Sequence, residues 1–416
     1  MHASPIPPLS RLDRPLLTSH RIAIVGAGFA GLASATLLAR AGHQVTVLEK
    51  FATPQAVGAG ILIQPTGLAA MRTLGIYDDI LAHGARVHNL SGVSHTGRQV
   101  LDIRYERWQS GSFGVGLHRG ALFNALWKSA TEAGVKIVTG QELTQLEELK
   151  DYDLRVIADG ANSQLRSQTG LAFKDKLYPW GAVWAVLPDP ERRYGSTLWQ
   201  WCRQANQMLG IMPTGHAPHS TPASETSVVS LFWSLRADRF DEWQKAGLQA
   251  WKNTVLALNP GCAELLANIT SIDQLTWARY HDIVMPRYHT DKDSHSTVII
   301  GDAAHATSPQ LGQGTNLALL DAVALAKCLA TASCIPTALA AYTQVRKSHL
   351  HFYSQASRLL TPLFQSDLTV LPWFRDRLMA TSSTWPVIKG MNLQTLVGVR
   401  KGWLGGELEL HNDHHP

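Results

Sequence analysis

Three glycines follow a short apolar run near the start of the chain in the spacing G-x-G-x-x-G: Gly26, Gly28 and Gly31. Glycine at the first position permits a tight turn, and at the second it lets the backbone approach a pyrophosphate. At the third, it lets a helix pack on the preceding strand. The next apolar run ends in an acid, Glu49, whose carboxylate is placed to accept hydrogen bonds from a ribose. The pattern predicts that residues 21–50 form a β-α-β unit that binds a dinucleotide at a helix N-terminus.

A second pattern, D-G-x-x-S-x-x-R, begins at Asp159 and ends at Arg166. A short apolar run precedes it, so Asp159 should lie at the carboxyl end of a strand, where ligands collect in open α/β sheets. We expect Ser163 to cap a short helix that carries Arg166. Upstream, Arg119 directly precedes a predicted helix, and its planar guanidinium could pair with a phosphate. The alternative interpretation of the D-G-x-x-S-x-x-R pattern is an ordinary strand-to-helix turn. Taken alone, Arg119 could equally form a surface salt bridge.

Residues 298–317, VIIGDAAHATSPQLGQGTNL, combine a buried strand with an acid and a glycine-rich turn. We expect the strand to deliver Asp302, whose carboxylate can bind a ribityl hydroxyl. Gly312 and Gly314 would let the backbone approach a planar ring. A helix that begins near Thr315 would aim its N–H groups at that ring, and such donors stabilise the negative charge of a reduced isoalloxazine.

Between residues 178 and 288, strand-like runs alternate with Pro, Gly and Ser clusters, which predicts a mostly antiparallel sheet. Many of the tryptophans lie here, and a wall of aromatic rings suits a flat organic ligand, although a single Trp is more often core than contact. Because this sheet should cover the cofactor, the candidate pocket residues are Trp199, Trp201, Met212, Pro213 and Trp233. The candidate polar partners are His118, His216 and Arg236.

Composition narrows the class of protein. The chain of 416 residues has 45% hydrophobic and 17% charged residues, with a net charge of +5. This charge mildly favours anionic ligands, and without a basic run or motif it does not indicate nucleic-acid binding. The four cysteines lack C-x-x-C spacing, so neither a metal site nor a disulfide framework is predicted. Asp321 and Lys327 interrupt the best candidate for a transmembrane run, and the first 20 residues lack the apolar core of a secretion signal. We therefore expect a cytoplasmic protein, as a monomer or a homodimer.

Three motifs carry a family resemblance over residues 20–345: GAGFAG with Glu49, ADGANSQLR, and GDAAHATSPQLGQGTNLALLDA. Together they resemble the FAD-dependent group A monooxygenases, the para-hydroxybenzoate hydroxylase family. By that resemblance FAD would contact Gly26, Gly28, Gly31, Glu49, Lys50, Arg119, Asp159 and Asp302, while Gly312, Gly314, Thr315 and Asn316 would face the flavin. Asp159 would also serve the passing pyridine nucleotide. One departure is visible after Gly60, where ILIQPTG lacks the asparagine that many relatives have after the proline.

The resemblance implies an α/β fold. A Rossmann-like FAD-binding domain with a parallel sheet would be interleaved with a mostly antiparallel substrate domain and followed by a C-terminal helical segment. The predicted divisions are a disordered leader (1–20), a discontinuous FAD-binding domain (21–175 and 295–345), a substrate domain (176–294), a helical cap (346–403) and a polar tail (404–416). The cap is expected to be broken at Pro362, Pro372 and Pro386.

The resemblance also implies the reaction. NADH or NADPH would reduce FAD, O2 would add at the flavin C4a carbon, and the hydroperoxide would transfer one oxygen to a small aromatic or other electron-rich substrate. Because the sequence has no second G-x-G-x-x-G unit, the nicotinamide cofactor would bind only transiently. Since the flavin carries the chemistry, no side chain is assigned as a catalytic acid or base.

Three alternatives remain open at this stage. A flavin halogenase shares the fold, and Trp199-Gln200-Trp201 resembles its W-x-W-x-I-P element, although Ile-Pro is missing here. A flavin reductase or dehydrogenase that never uses O2 would carry the same cofactor motifs. The chain could also be a non-catalytic protein that binds FAD. In that case an exposed apolar face on the C-terminal helices could dock a membrane or a partner, for instance Leu359, Leu360, Leu363 and Phe364.

Overall fold

The computed structural model describes residues 19–55, 60–217, 226–291, 295–379, 386–403, 405–408 and 410. Most of the predicted leader (residues 1–18) and most of the predicted tail lie outside the described residues.

The first sheet contains the glycine unit. As predicted, β1 (Arg21–Val25), α1 (Phe29–Arg40) and β2 (Gln44–Glu49) form a β-α-β unit. They belong to a six-stranded sheet of order β15-β16-β9-β1-β2-β8. The other strands are β8 (Lys136–Thr139), β9 (Leu154–Ile157), β15 (His289–Thr290) and β16 (Ser296–Ile299). All pairs are parallel except that of β15 with β16. Strands β9 and β16 are buried at every residue, as their apolar sequences require in a sheet covered on both faces.

Helices cover this sheet and complete the main core. They are α2 (Pro65–Leu74), α3 (Tyr77–His83), α4 (Arg119–Glu132), the short α7 (Asp302–His305), α8 (Gly314–Thr331) and α9 (Ile335–Phe364). Within the described part of the chain, α8 alone is long and apolar enough to cross a membrane, by length and composition only. In the folded chain 61% of it is buried, and residues on both of its sides belong to the main core.

The second sheet has seven strands in the order β14-β10-β13-β12-β11-β5-β6. Its strands are β5 (Asn89–Ser94), β6 (Gln99–Arg104), β10 (Lys174–Pro188), β11 (Thr197–Arg203), β12 (Gln207–His216), β13 (Ser227–Arg236) and β14 (Thr276–Val284). All neighbours are antiparallel except β5 and β11. Through that parallel pair, the hairpin β5–β6 extends the second sheet, although the predicted divisions placed residues 89–104 in the FAD-binding domain. The outer face of the sheet is covered by α5 (Phe240–Leu258) and α6 (Ala263–Ala267).

A small sheet of β3 (Gly60–Ile63), β7 (Gly114–His118) and β4 (Ala85–Val87) joins the two larger sheets. The backbone N–H of Gly60 donates a hydrogen bond of 2.8 Å to the Ser230 hydroxyl on β13. A Cβ on Gly116 of β7 would overlap the carbonyl oxygen of Pro213 on β12. Glycines at these positions therefore let the two halves of the molecule approach at backbone distance.

The C-terminal segment is helical, as predicted, with α10 (Val370–Phe374), a π-helical turn (Arg375–Met379) and α11 (Pro386–Val397) after α9. The predicted break at Pro362 is wrong. The helix α9 continues to Phe364, because Pro362 lies in its last turn and removes only the one hydrogen bond that its missing N–H would donate. The Pro362 carbonyl accepts a hydrogen bond from Ser366 Oγ just beyond the helix. Pro372 is also not a break and lies inside α10, whereas Pro386 begins α11.

Candidate cofactor and substrate site

The carboxyl ends of four adjacent strands bring the acidic and glycine-rich motifs to one edge of the first sheet. Backbone hydrogen bonds join these strand ends. The N–H of Ile300 donates to the Ile157 carbonyl (3.0 Å), the N–H of Ala158 donates to the Val25 carbonyl (2.9 Å), and the N–H of Gly26 donates to the Leu48 carbonyl (2.8 Å). At the carboxyl ends of these strands lie Asp302, Asp159, Gly26 and Glu49. Motifs far apart in sequence thus form one cleft, in the order that parallel pairing dictates.

The three glycines of the first motif differ in what surrounds them. Gly26 has φ of +100°, and a Cβ there would lie 2.5 Å from the Ala158 carbonyl oxygen. A Cβ on Gly31 would overlap the carbonyl oxygen of Gly26. Around Gly28, in contrast, a Cβ would meet nothing within 4 Å. Gly26 and Gly31 are therefore required by the fold itself, whereas the space beside Gly28 is open in front of the α1 N-terminus.

Glu49 closes the other side of this turn. Its carboxylate accepts hydrogen bonds from the backbone N–H groups of Ala27 (2.7 Å) and Phe51 (3.0 Å). The side chain is therefore fixed with capacity left for a further donor, and its contact with a ribose stays a prediction. Lys50 is exposed, with its Nζ 4.9 Å from the centre of the Phe51 ring.

Two buried polar atoms in the cleft, one on Arg119 and one on Asp159, have no hydrogen-bond partner among the described residues. Arg119 packs its guanidinium 5.1 Å from the Phe29 ring, and its Nε has no hydrogen-bond acceptor. Burial lowers the pKa of Arg119, and the carboxylate of Asp302 opposes that shift. Oδ1 of Asp159 has no donor, and burial raises the pKa of Asp159. Because unpaired buried polar atoms are costly, these two groups fit a site that a polar ligand completes.

The side chain of Arg166 connects the second motif to the third and is directed at protein groups. The backbone N–H of Arg166 donates to Ser163 Oγ (3.1 Å). The N-cap residue of the short helix Arg166–Thr169 is Leu165, however, so the prediction that Ser163 caps this helix is wrong and Ser163 instead closes the preceding turn. The guanidinium of Arg166 donates to the Ala303 carbonyl (2.9 Å) and pairs with Asp175 (2.6 Å). The second and third motifs are thereby held in register.

The two glycine-lined helix starts converge at Gly301. This residue has φ of +60°, and a Cβ on it would lie 2.8 Å from Cβ of Ala30 in the first turn of α1. A Cβ on Gly314, at the start of α8, would lie 3.9 Å from Asp302 Oδ1. Asp302 therefore lies close to both helix N-termini, as expected if they hold one ligand.

Among the predicted flavin-facing residues, Asn316 differs from the rest. Its side chain is fully buried and donates to the carbonyls of Leu62 (3.1 Å) and Gly312 (3.0 Å), while its Oδ1 accepts from the backbone N–H of Gln64 (2.9 Å). This side chain therefore ties β3 to the glycine turn and has no polar atom left for the cleft. Gly312, Gly314 and Thr315 remain partly exposed, and their contact with a flavin stays a prediction.

The sequence does not predict the buried ionic network that lies behind the cleft, because Asp321 there only interrupts an apolar run. Its fully buried carboxylate accepts from the backbone N–H of Gly301 (2.9 Å), from His305 Nε2 (2.5 Å) and from Arg346 Nε (2.7 Å). Burial alone would raise the pKa of Asp321, but His305 and Arg346 outweigh it and hold that pKa well below its usual range. The network fixes the turn that delivers Asp302.

His349 extends this network to the C-terminal segment. Its Nδ1 lies 2.9 Å from a terminal nitrogen of Arg346, and its Nε2 donates to the Gly398 carbonyl at 2.8 Å. Burial, followed by the charge of Arg346, lowers the pKa of His349 to about 3. The folded protein therefore holds His349 neutral. The spacing of Arg346 and His349, three residues apart on α9, was the only signal in the sequence.

The free energy of unfolding should fall as the pH drops from 7 to 5, partly through His349. An unfolded histidine titrates near 6.5, so below that pH the unfolded state binds a proton that folded His349 does not. The loss of stability approaches about 1.4 kcal/mol per pH unit as the pH falls well below 6.5. Denaturant melts at several pH values should show a shallower slope for His349→Asn than for the wild type. The exposed neighbour His351 supplies the control, since His351→Asn should leave the slope unchanged. Equal slopes in all three proteins would contradict the assignment.

Three of the five predicted pocket residues lie on the outer face of the second sheet, so the structure does not bring the five together. Trp201 and Trp233 pack with α5 in the core on the outer face of the second sheet, and Trp199 stacks on Trp201 with ring centroids 6.0 Å apart. Met212 points to the opposite face, into the core around β3. Because side chains alternate along a strand and both faces of this sheet are covered, apolar composition could not decide which tryptophans face inward. Pro213 is buried at the junction with β7.

The inner face carries a different aromatic group. Trp184 on β10 lies 5.1 Å from Phe232 on β13, and its Nε1 donates to the Tyr280 hydroxyl at 3.0 Å. Burial raises the pKa of Tyr280 to about 12, and the charge of Arg119 opposes the shift. Tyr280 therefore keeps its proton, for which no other described residue is an acceptor. The alternation of β10 to β13 places further uncharged side chains on this face, namely Ala182, Val186, Leu198, Gln200, Cys202, Met212, Ser230 and Ser234.

Two of the three candidate polar partners are already engaged. His118 caps α4, its Nδ1 accepting from the backbone N–H of Gly120 at 3.0 Å. Arg236 is paired with Asp238 and Asp367. His216 ends β12, and its buried Nδ1 has no hydrogen-bond partner in the part of the chain that the structure describes.

Known proteins resemble this chain over most of its length. A family model described as FAD binding domain matches residues 19–155 and 151–351. A probable 2-heptyl-3-hydroxy-4(1H)-quinolone synthase of Rhodococcus erythropolis is 25% identical over 344 residues, covering 80% of this chain and 85% of that protein. The 6-hydroxynicotinate 3-monooxygenase of Pseudomonas fluorescens is 26% identical over 332 residues, covering 75% of this chain and 83% of that protein.

A solved structure shows the same fold. HpxO of Klebsiella pneumoniae, in complex with FAD and uric acid, superposes with a TM-score of 0.75 over 94% of this chain and 100% of that chain. The sequence identity of the pair is 20%. The likeness extends across the parallel sheet, the antiparallel sheet and the C-terminal helices.

Proposed function

This chain belongs to the FAD binding domain family and is an FAD-dependent aromatic monooxygenase, and from that premise we propose that it uses NADH or NADPH to hydroxylate a neutral, planar heteroaromatic ring of the 4-quinolone type. The observation that carries the choice of substrate is the uncharged, aromatic inner face of the second sheet. The name of the Rhodococcus relative supports the same ring system. A cytoplasmic location stays a prediction.

We assign the cleft at the edge of the first sheet to FAD. The N–H groups at the start of α1, beside Gly28, would bind the pyrophosphate, and Glu49 would accept from the ribose. Asp302 would bind the ribityl chain, and Arg119 would supply its unpaired Nε. When bound, FAD supplies the redox chemistry, taking electrons from the nicotinamide and activating O2. The protein fixes its position, and the two covered sheets exclude water from it.

The inner face selects the substrate by shape and polarity. Trp184 and Phe232 offer ring surfaces to a planar ligand, and the Tyr280 hydroxyl offers one hydrogen-bond donor between them and Arg119. The ring carbonyl of a 4-quinolone is a matching acceptor. Arg119, the cation beside Tyr280, is assigned to FAD, so the carboxylate of a benzoate would lie among uncharged side chains without a free cationic partner, which costs several kcal/mol. A neutral heteroaromatic compound is therefore the better fit.

The proposal is tested with the purified holoprotein and a panel of 4-quinolones, hydroxypyridines and hydroxybenzoates. We expect 4-quinolones to stimulate NAD(P)H oxidation most strongly, with a product heavier by one oxygen atom. That product should disappear without O2. Sustained NAD(P)H turnover under strict anaerobiosis would instead indicate a reductase. Stimulation only by hydroxybenzoates would contradict the substrate class.

Replacing Tyr280 by phenylalanine should raise KM for the substrate by about fivefold to tenfold, because one hydrogen bond of about 1–1.5 kcal/mol is lost. The affinity for FAD should not change, since no cofactor contact is assigned to this side chain. Tyr194 packs on the outer face of the same sheet, so Tyr194→Phe is the matched control and should leave KM unchanged. Steady-state kinetics measure both variants. An unaltered KM in Tyr280→Phe would remove this residue from the substrate site.

A further inference from the structure

The segment that departs from the family pattern contains a buried amide with an unused donor. Gln64 directly follows β3, and its side chain is fully buried. Its Oε1 accepts a hydrogen bond of 2.6 Å from the Tyr105 hydroxyl. Its Nε2 has no partner among the described residues. A buried donor without an acceptor is energetically unfavourable, so an external acceptor is expected.

Tyr105 determines which end of this amide is unused. The phenol is itself fully buried, and burial raises the pKa of Tyr105 well above its ordinary value, so its proton is always present. Only the amide oxygen can accept that proton, because an amide NH2 group has donors alone. The reverse orientation would leave the phenol proton without an acceptor. The NH2 group of Gln64 therefore faces away from Tyr105.

On that side lies the glycine turn of the third motif. Nε2 of Gln64 is 4.0 Å from the position of a Cβ on Gly312, whose backbone has φ of +59°. The backbone N–H of Gln64 donates to Asn316 Oδ1 at 2.9 Å, which holds β3 against the first turn of α8. Both the main chain and the side chain of Gln64 are thus fixed beside the turn, and its open donor is at a defined place.

We propose that the Gln64 amide donates a hydrogen bond to the isoalloxazine ring of FAD, and that Tyr105 is the positioning residue that orients this donor. The inference rests on the proposed function and on the predicted contact between the flavin and the turn at Gly312. A donor held at the ring stabilises the reduced flavin, which carries more negative charge than the oxidised form. Gln64 therefore raises the reduction potential of the bound cofactor.

The test is the midpoint potential of the holoenzyme. Gln64→Met keeps the length of the side chain but removes the donor. We expect about a tenfold loss of affinity for reduced relative to oxidised FAD, which makes the two-electron potential about 30 mV more negative. The flavin absorption bands should shift as well. Tyr105→Phe should move the potential in the same direction by a smaller amount, because the amide is then present but no longer oriented.

Two further proteins separate this role from a loss of stability. The double variant Gln64→Met/Tyr105→Phe leaves neither partner unpaired, so it should fold like the wild type and still show the lowered potential. Gln168→Met removes an amide that bonds to Thr144 and Leu146, and it should not change the potential. Wild-type potentials in both Gln64 variants, with FAD fully bound, would overturn the inference and leave the proposed function intact. A wild-type protein that binds no FAD would overturn both.

Discussion

Replacing Gly28 by alanine should lower the affinity for FAD by about two orders of magnitude and leave the apoprotein as stable as the wild type. Its backbone has φ of −75°, which alanine adopts without strain, and a Cβ there meets no protein atom within 4 Å. The new methyl group would instead occupy the space in front of the α1 N-terminus. Losing one or two charge-assisted hydrogen bonds to a pyrophosphate costs about 3 kcal/mol, which is about 100-fold in the dissociation constant.

The neighbouring glycines supply the matched controls. Gly31→Ala places its Cβ on the carbonyl oxygen of Gly26, and Gly26→Ala combines a positive φ with a close approach to Ala158. Both should destabilise the apoprotein itself by several kcal/mol, since backbone atoms cannot give way as a flexible side chain can. Denaturant melts of the apoproteins and FAD titrations followed by fluorescence separate the two effects. If Gly28→Ala bound FAD like the wild type, the pyrophosphate would not lie at this helix.

The cofactor half could be predicted from sequence because its signals are local. The turn at Gly26 and the acid Glu49 each follow a buried strand, and parallel pairing requires such strands to end at one edge. The hydrogen bond from the Arg166 backbone N–H to Ser163 Oγ likewise joins residues only three positions apart. No long-range contact has to be known in advance to place these groups.

The substrate half could not be predicted, because the needed information is which face of a strand looks inward. Trp201 and Gln200 point to opposite faces, and both faces are covered, one by α5 and the other by the cofactor half. A shift of one residue along a strand would move every inward-facing side chain to the outer face and every outward-facing one to the inner face. The inward aromatic group combines Trp184 and Tyr280 from strands separated by almost a hundred residues, and neither has a local motif.

The role of Asn316 in the third motif could not be predicted for a related reason. Asn316 lies in the first turn of α8, beside a glycine-rich turn that suggests ligand contact. Its side chain nevertheless forms hydrogen bonds with the backbone of Leu62 and Gln64 at β3, about 250 residues away. The carbonyl of Leu62 needs a donor there, and Asn316 supplies it. Pairings of this kind follow from the packed fold and have no periodicity along the chain.

Replacing Asp321 by asparagine should destabilise the protein by about 3–5 kcal/mol and weaken FAD binding as well. The change leaves Arg346, whose side chain is only 3% exposed, without its buried counter-charge. It also weakens the acceptor of the Gly301 N–H, so the turn that positions Asp302 is released. Asp102 forms an exposed pair with Arg104, and Asp102→Asn should change the unfolding free energy by less than about 1 kcal/mol.

Two further measurements distinguish this network from an ordinary packing defect. Arg346→Met combined with Asp321→Asn removes both charges, so it should be more stable than Asp321→Asn alone, and a double-mutant cycle gives the coupling. The loss of unfolding free energy in Asp321→Asn should also become smaller as the pH falls. Because the folded pKa of Asp321 is lowered, its contribution is complete at pH 7 and is lost only as the pH falls below the unfolded value of about 4. A penalty that stays constant from pH 7 to pH 3 would show that the charge of Asp321 is not what holds the turn.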